Sequence, residues 1–185
     1  MNTLSLVHAH LQSWIHPGDF VIDATAGNGK DTEFLCGLVG QEGKVLAFDI
    51  QEQAVANTRQ RLQEHGWSDV GEVVLDSHAN MGKYAQENSV DCIVFNLGWL
   101  PGGDHTVFTH ADSTIAAIEA GLKLLRKDGV MCVSIYYGGA SGYEERDALL
   151  EYVKTIDPAQ YTVLVTQFAN RAGDPPIPVF IHKAT

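Results

Sequence analysis

The chain has 185 residues, 45% of them hydrophobic, and 12 Lys and Arg against 23 Asp and Glu for a net charge of −11. That length and apolar share suit one folded domain over residues 1–185 and speak against a disordered chain. So acidic a protein is excluded as a non-specific binder of nucleic acid or anionic membrane, because its mean field repels phosphate; such a partner needs a local basic patch or a small docking site.

Leu4, Val7, Leu11, Trp14 and Ile15 recur at helical spacing, so residues 3–15 predict an amphipathic helix, closed by the turn Pro17-Gly18-Asp19. Phe20 to Ala24 predicts a first strand, 31–39 a helix, and Val45 to Asp49 a second strand. Residues 52–65 predict a helix with Val55, Thr58 and Leu62 on one face and Gly66 after its end. Glu72 to Asp76 predicts a third strand, 79–86 a weaker helix, and Val90 to Asn96 a fourth strand. A long Gly- and Pro-containing loop, Leu97 to His105, comes next, then a helix over 111–127 ended by Asp128-Gly129. Val130 to Tyr136 predicts a fifth strand. Ser141 and Glu144 have capping-box spacing for a helix over 143–156, which Asp157-Pro158 stops. Tyr161 to Phe168 and Pro178 to His182 predict a closing antiparallel hairpin.

Strand–helix alternation predicts an α/β fold: a Rossmann-like, doubly wound and mostly parallel sheet. Such sheets bind ligands at the carboxyl ends of their strands, which points to the loops after Asp23, Asp49, Asp76, Asn96 and Tyr136. Cys36, Cys92 and Cys132 are odd in number and form no CxxC, so neither a disulfide framework nor a Cys-pair zinc site is expected. The histidines show no HxxxH or HExxH spacing, so no metal is expected either. A reduced, cytoplasmic protein is the simplest expectation, with neither an apolar run of spanning length nor a signal peptide.

The first loop reads Asp23-Ala-Thr-Ala-Gly27-Asn-Gly29-Lys-Asp-Thr32, and Asp49 stands twenty residues beyond Gly29 at the next strand end. A carboxylate there can accept from both hydroxyls of a ribose. A dinucleotide is the rival ligand. Its GxGxxG template requires glycine where this chain has Thr32, and its pyrophosphate prefers a helix start without the acids Asp23 and Asp31. The same acids suit an α-amino group or a sulfonium, which favours S-adenosylmethionine (SAM). A tight strand–helix turn alone explains the glycines but not Asp23, Asp31 and Asp49 together.

These residues, with Phe48-Asp-Ile-Gln51, Ser77-His78 and Asn96-Leu-Gly-Trp-Leu-Pro-Gly-Gly-Asp-His105, resemble the small Rossmann-like methyltransferases of the YtqB-like group. The resemblance runs nearly end to end and is most specific from Asn96 to His105. Members with assigned activity are wobble-uridine methyltransferases (MnmM), which convert 5-aminomethyl-2-thiouridine in tRNA anticodons to its 5-methylaminomethyl form. The resemblance implies a SAM-dependent N-methyltransferase acting on the tRNA anticodon arm, and a homodimer. It implies that Asp23, Thr25, Gly27, Asn28, Gly29, Asp31 and Thr32 surround the methionine part of SAM. Asp49 and Gln51 would hold ribose and adenine, with Ser77 and His78 beside the base. Asn96, Leu97 and Gly98 would line the methyl-transfer side, with Asp104 and His105 on the substrate side. Two positions depart from the family pattern: Lys30 stands where His or Tyr is expected, and Gly139 replaces a His.

Methylation of an amine requires its neutral form, because an alkylammonium has no lone pair to attack with. Asn96 could orient the N–H, Asp104 or His105 could take the proton, and Trp99 and Tyr136 could stack on a base. The alternatives are methylation of a small molecule or of rRNA, and a SAM-binding module without catalysis.

Overall fold

The computed structural model describes residues 1–98, 111–137 and 142–185. Strands β1 (Phe20–Asp23), β2 (Lys44–Asp49), β3 (Gly71–Leu75), β4 (Val90–Leu97), β5 (Leu125–Ile135), β6 (Tyr161–Val165) and β7 (Ile177–Lys183) form one sheet in the order β3-β2-β1-β4-β5-β7-β6. The first five run parallel. β7 is antiparallel to both β5 and β6, so the expected closing hairpin forms and its second strand is inserted beside the parallel block.

Both faces of the central strands are buried, which is why they read as unbroken apolar runs. Successive side chains point to opposite faces. Val21, Val45, Cys92, Val94, Val130 and Cys132 pack on one side with residues of α1 (Thr3–Trp14), α2 (Lys30–Val39) and α3 (Glu52–Glu64). Ile22, Leu46, Phe48, Ile93, Phe95, Met131 and Val133 pack on the other, with residues of α4 (Ala111–Leu124), α5 (Gly142–Val153) and the 3-10 helix His78–Lys83. The sheet is therefore doubly wound.

The helix predicted over 143–156 ends at Val153, before Asp157-Pro158 is reached, and three other predicted elements differ from those observed. The helix predicted over 111–127 stops at Leu124, and Leu125 already pairs with Val90 as the first residue of β5. The ladder then shifts register and resumes at Cys92 and Val130. Residues 126–129 form the irregularity: Asp128 adopts φ +66°, and Arg126 pairs with Asp91. Apolar Leu124-Leu125 suits either element, and only tertiary pairing decides it. The weaker helix is a short 3-10 turn, in which Asp76 accepts from Asn80 Nδ2 at 2.8 Å and from the Tyr84 hydroxyl at 2.7 Å. β6 ends at Val165 rather than Phe168, at the level of Pro178, which has no N–H to give the ladder. Thr166 instead sends both its amide and its hydroxyl to the Pro178 carbonyl.

Candidate active site

Asp23, Asp49 and Asn96 end β1 and β2 and nearly end β4, so sheet register alone gathers them at the carboxyl edge. Asp23 is fully buried. Its Oδ2 accepts from the Thr32 hydroxyl at 2.7 Å and its Oδ1 from the Thr25 amide at 3.1 Å, which ties the start of the loop to the first turn of α2. Burial pushes the Asp23 carboxyl up to about 7; the Thr32 bond opposes this, neighbouring Asp31 adds to it, the Thr25 bond opposes it, and Asp49 adds a little more.

Between these ties the loop turns through Gly27 (φ +56°) and Gly29 (φ +84°), values that a side chain would strain. A Cβ on Gly29 would also lie 2.8 Å from the Thr58 Cα, so α3 packs directly on the loop backbone. Thr58 donates its hydroxyl to the Gly27 carbonyl at 3.0 Å. Asn28 accepts Asn57 Nδ2 on its side chain and Arg61 Nε on its carbonyl, each at 3.0 Å. Lys30 opens α2 with an exposed side chain.

The Asp49 carboxylate accepts one amide on each oxygen, Gly27 N–H and Gln51 N–H, both at 3.0 Å. Each oxygen keeps a second lone pair for a ligand hydroxyl. Ser77 caps the 3-10 turn by accepting from the Ala79 amide at 3.2 Å. His78 is buried at 8% exposure, with Nδ1 3.1 Å from the Ala24 carbonyl. A carbonyl can only accept, so Nδ1 carries the proton and Nε2 of the neutral ring is an acceptor. Burial lowers the His78 pKa and favours that neutral ring.

Asn96 is fixed at two points. Its amide donates to the Thr25 hydroxyl at 2.7 Å, and its Nδ2 donates to Asp31 Oδ2 at 2.5 Å. The other oxygen of Asp31 meets Nε2 of His8 at 2.9 Å. The His8 ring stacks on Phe34, with centroids 3.8 Å apart and planes at 10°. Sequence reasoning missed His8 and Phe34 in this setting; no spacing rule links a residue of the first helix to an acid 23 positions later. Leu97 is buried and accepts the Tyr136 amide at 3.0 Å. Tyr136 is 42% exposed, and its Cβ lies so near Gly98 that an added Cβ there would stand 3.0 Å from it. Trp99, Asp104, His105, Gly139 and Ser141 lie outside the described residues.

The candidates thus fall into two sets. Asp49, Gln51, Ser77 and His78 flank the loops after β2 and β3, while Thr25, Asp31, Asn96, Leu97 and Tyr136 lie around β4 and the end of β5. A separate open groove, lined by Lys44, Arg59, Asp69 and Glu72, sits at the amino ends of β2 and β3, away from both sets. Among the described residues no helix is long and apolar enough to cross a membrane.

This arrangement has close counterparts. The family model described as "Putative rRNA methylase" matches residues 45–182. An Arabidopsis thaliana protein, "tRNA (mnm(5)s(2)U34)-methyltransferase, chloroplastic", is 33% identical over 187 residues, covering 96% of this chain and 68% of that protein. The crystal structure of a "putative rRNA-methylase" from Clostridium thermocellum superposes with a TM-score of 0.95 at 43% identity, covering 99% of this chain and 98% of that one. A "putative methyltransferase" from Streptococcus mutans in complex with SAH gives a TM-score of 0.88 at 36% identity, with 99% and 98% covered. The chain belongs to the family these relatives define, the rRNA methylase family of class I SAM-dependent methyltransferases.

Proposed function

We propose that the protein transfers the methyl group of SAM to the amine of 5-aminomethyl-(2-thio)uridine at the wobble position of tRNA, giving 5-methylaminomethyl-(2-thio)uridine. The observation that carries this reading is the 33% identity, across 96% of the chain, to the Arabidopsis protein named for that position.

The donor set fits SAM. Asp49 retains lone pairs for ribose hydroxyls, and His78 has an acceptor suited to the amino hydrogens of adenine. Asp31, at the start of α2, supplies the carboxylate that suits an α-ammonium or a sulfonium, and Gly27 and Gly29 bring backbone close to it. When bound, SAM supplies a methyl group activated by its sulfonium. The protein then has to position a neutral amine. Asn96 faces Asp31 through Nδ2, so its Oδ1 is the atom left to accept an N–H from the substrate amine. Asp104 and His105, the next acid and base along the chain, are the proposed proton acceptors. Tyr136, exposed beside Gly98, is a surface on which a base can stack.

The proposal places the enzyme in the cytoplasm, supported by three buried, unpaired cysteines. It also makes the enzyme a homodimer. β6, the last strand of the sheet, exposes Leu164 and Val165 by about half, apolar surface that a second copy can cover. Light scattering of the active protein should give twice the 20.1 kDa chain mass, and a monomer with full activity removes the dimer.

The test is direct. The purified protein, isotopically labelled SAM and tRNA carrying 5-aminomethyl-2-thiouridine are combined, and the nucleosides are separated by mass. Label in 5-methylaminomethyl-2-thiouridine is expected. Label confined to rRNA, to another nucleoside or to a small molecule overturns the reading.

A further inference from the structure

We propose that His8 is a positioning residue for methyl transfer: through Asp31 it fixes which way the Asn96 carboxamide faces. The inference rests on the reading of Asn96 as the group that accepts the substrate amine.

As a carboxylate, Asp31 can only accept hydrogen bonds. The Asn96 atom that meets Oδ2 must therefore be Nδ2, and the Asn96 oxygen is forced to the other side of the side-chain plane. The nitrogen that meets Oδ1 must likewise carry a proton, so His8 presents Nε2–H. Asp31 is thus held by one donor on each oxygen, and its only described side-chain donor besides Asn96 is His8. Without His8 the carboxylate is free to rotate about its own side chain, and the Asn96 amide loses the fixed acceptor that imposes its orientation.

His8 is itself held. Val7 and Leu11 of α1 are buried in the sheet core, and Thr3 ties the start of the helix to the Pro176 carbonyl at 3.1 Å. Phe34, one helical turn after Asp31, stacks on the imidazole and fixes its plane. Helix α1 therefore does more than cover the sheet: it delivers one donor to the methyl-transfer side.

Three variants separate this role from plain packing. His8→Phe keeps an aromatic ring for the Phe34 stack and removes the donor. His8→Gln removes the ring and keeps an N–H near the place of Nε2. Asn96→Ala removes the group being positioned. In single-turnover assays with aminomethyluridine tRNA, His8→Phe should slow methyl transfer about tenfold or more, the scale of a small misplacement near reacting atoms. The assays are run at saturating SAM, so that a change in the Asp31 contact to SAM does not enter the rate. His8→Gln should recover most of the rate, and adding His8→Phe to Asn96→Ala should cost nothing further. Native turnover in His8→Phe, equal losses in His8→Phe and His8→Gln, or multiplicative losses in the double variant overturn the proposal.

A second measurement needs no substrate. The Asn96 side-chain amide resonances should shift in His8→Phe and return toward their native positions in His8→Gln. Unchanged Asn96 resonances overturn the proposal. If the wild-type protein leaves aminomethyluridine tRNA unmethylated, the proposed reaction fails, and these resonances still decide whether His8 sets Asn96.

Discussion

Replacing Asp23 with Asn tests the electrostatics beneath the first loop. The carboxyl is fully buried and raised from 3.8 to about 7, chiefly by burial. The folded protein therefore binds this proton more tightly than the unfolded chain does. Its stabilising contribution is complete below the unfolded value, declines as pH rises through the interval, and is lost above the folded value near 7. Each pH unit in that interval is worth about 1.4 kcal/mol, so the roughly three units between the two values carry on the order of 4 kcal/mol. Asparagine keeps the shape: its oxygen can accept the Thr25 amide and its Nδ2 can donate to the Thr32 hydroxyl. Being always neutral, it behaves as protonated Asp23 does at low pH. Urea unfolding of both proteins should then give similar stabilities near pH 4, with the variant ahead by about 4 kcal/mol near pH 8. Other titrating groups cancel in the difference. A difference that does not change with pH would refute the buried, proton-retaining carboxyl.

Asp49→Ala removes the acceptor of the Gly27 and Gln51 amides as well as the proposed ribose contact, and calorimetry should show SAM weakened by about 1.5–3 kcal/mol; unchanged affinity sinks that contact. Gly29→Ala combines a φ of +84° with a Cβ 2.8 Å from the Thr58 backbone, so denaturant unfolding should show a loss of about 2–4 kcal/mol, and a native midpoint would mean the loop relaxes freely. Lys183→Met keeps the aliphatic stem but strips the donor from the Leu122 and Leu125 carbonyls and Asn88 Oδ1; about 2–4 kcal/mol should be lost, read as a lower melting temperature. Because burial favours neutral His78, SAM affinity of an Asp23→Asn variant, whose loop no longer titrates near pH 7, should hold steady above pH 6.5 and fall only in more acidic solution, where protonation turns the Nε2 acceptor into a donor; affinity of that variant already falling as pH drops from 8 to 7 would remove His78 from the adenine side.

The order and type of the elements were legible because two buried faces leave a strong trace. Val21-Ile22 or Cys92-Ile93 can be apolar in succession only where both sides of the sheet are covered. Acids and amides at strand ends stood out for the same reason, each interrupting such a run. What they do there was less legible. Asp23 and Asp49 occupy like positions in their strands, yet one is fully buried against Thr25 and Thr32, while the other is partly exposed and holds two amides. Burial of an acid depends on what α2 and α3 place over it, and no local pattern encodes that. His8 shows the same limit: it flanks the buried stripe of α1 like any boundary residue, and only the packing of α1 against α2 turns it toward Asp31.

A net charge of −11 sits uneasily with a polyanionic substrate, and the placement of charge narrows the problem. Burial lets Asp23 keep its proton to about pH 7, so this acid of the first loop carries little charge below that. Asp31 and Asp49 spend their oxygens on donors from the protein, so part of their field is already answered. Around the end of β5 the picture differs. Tyr136 and Tyr143 are exposed, and the Arg146 guanidinium lies 4.7 Å from the Tyr137 ring centre and 4.9 Å from that of Tyr143. Aromatic faces with a stacked cation suit an unpaired base better than a phosphate backbone, since stacking works over a few ångströms and is indifferent to distant charge. The wobble base of an anticodon loop is such a target: single-stranded, able to leave its stack, and accompanied by few phosphates. An extended duplex would have to lay many phosphates on an acidic surface. The charge of this chain therefore disfavours broad RNA binding while remaining compatible with recognition of one everted nucleotide, which is what the proposed reaction requires.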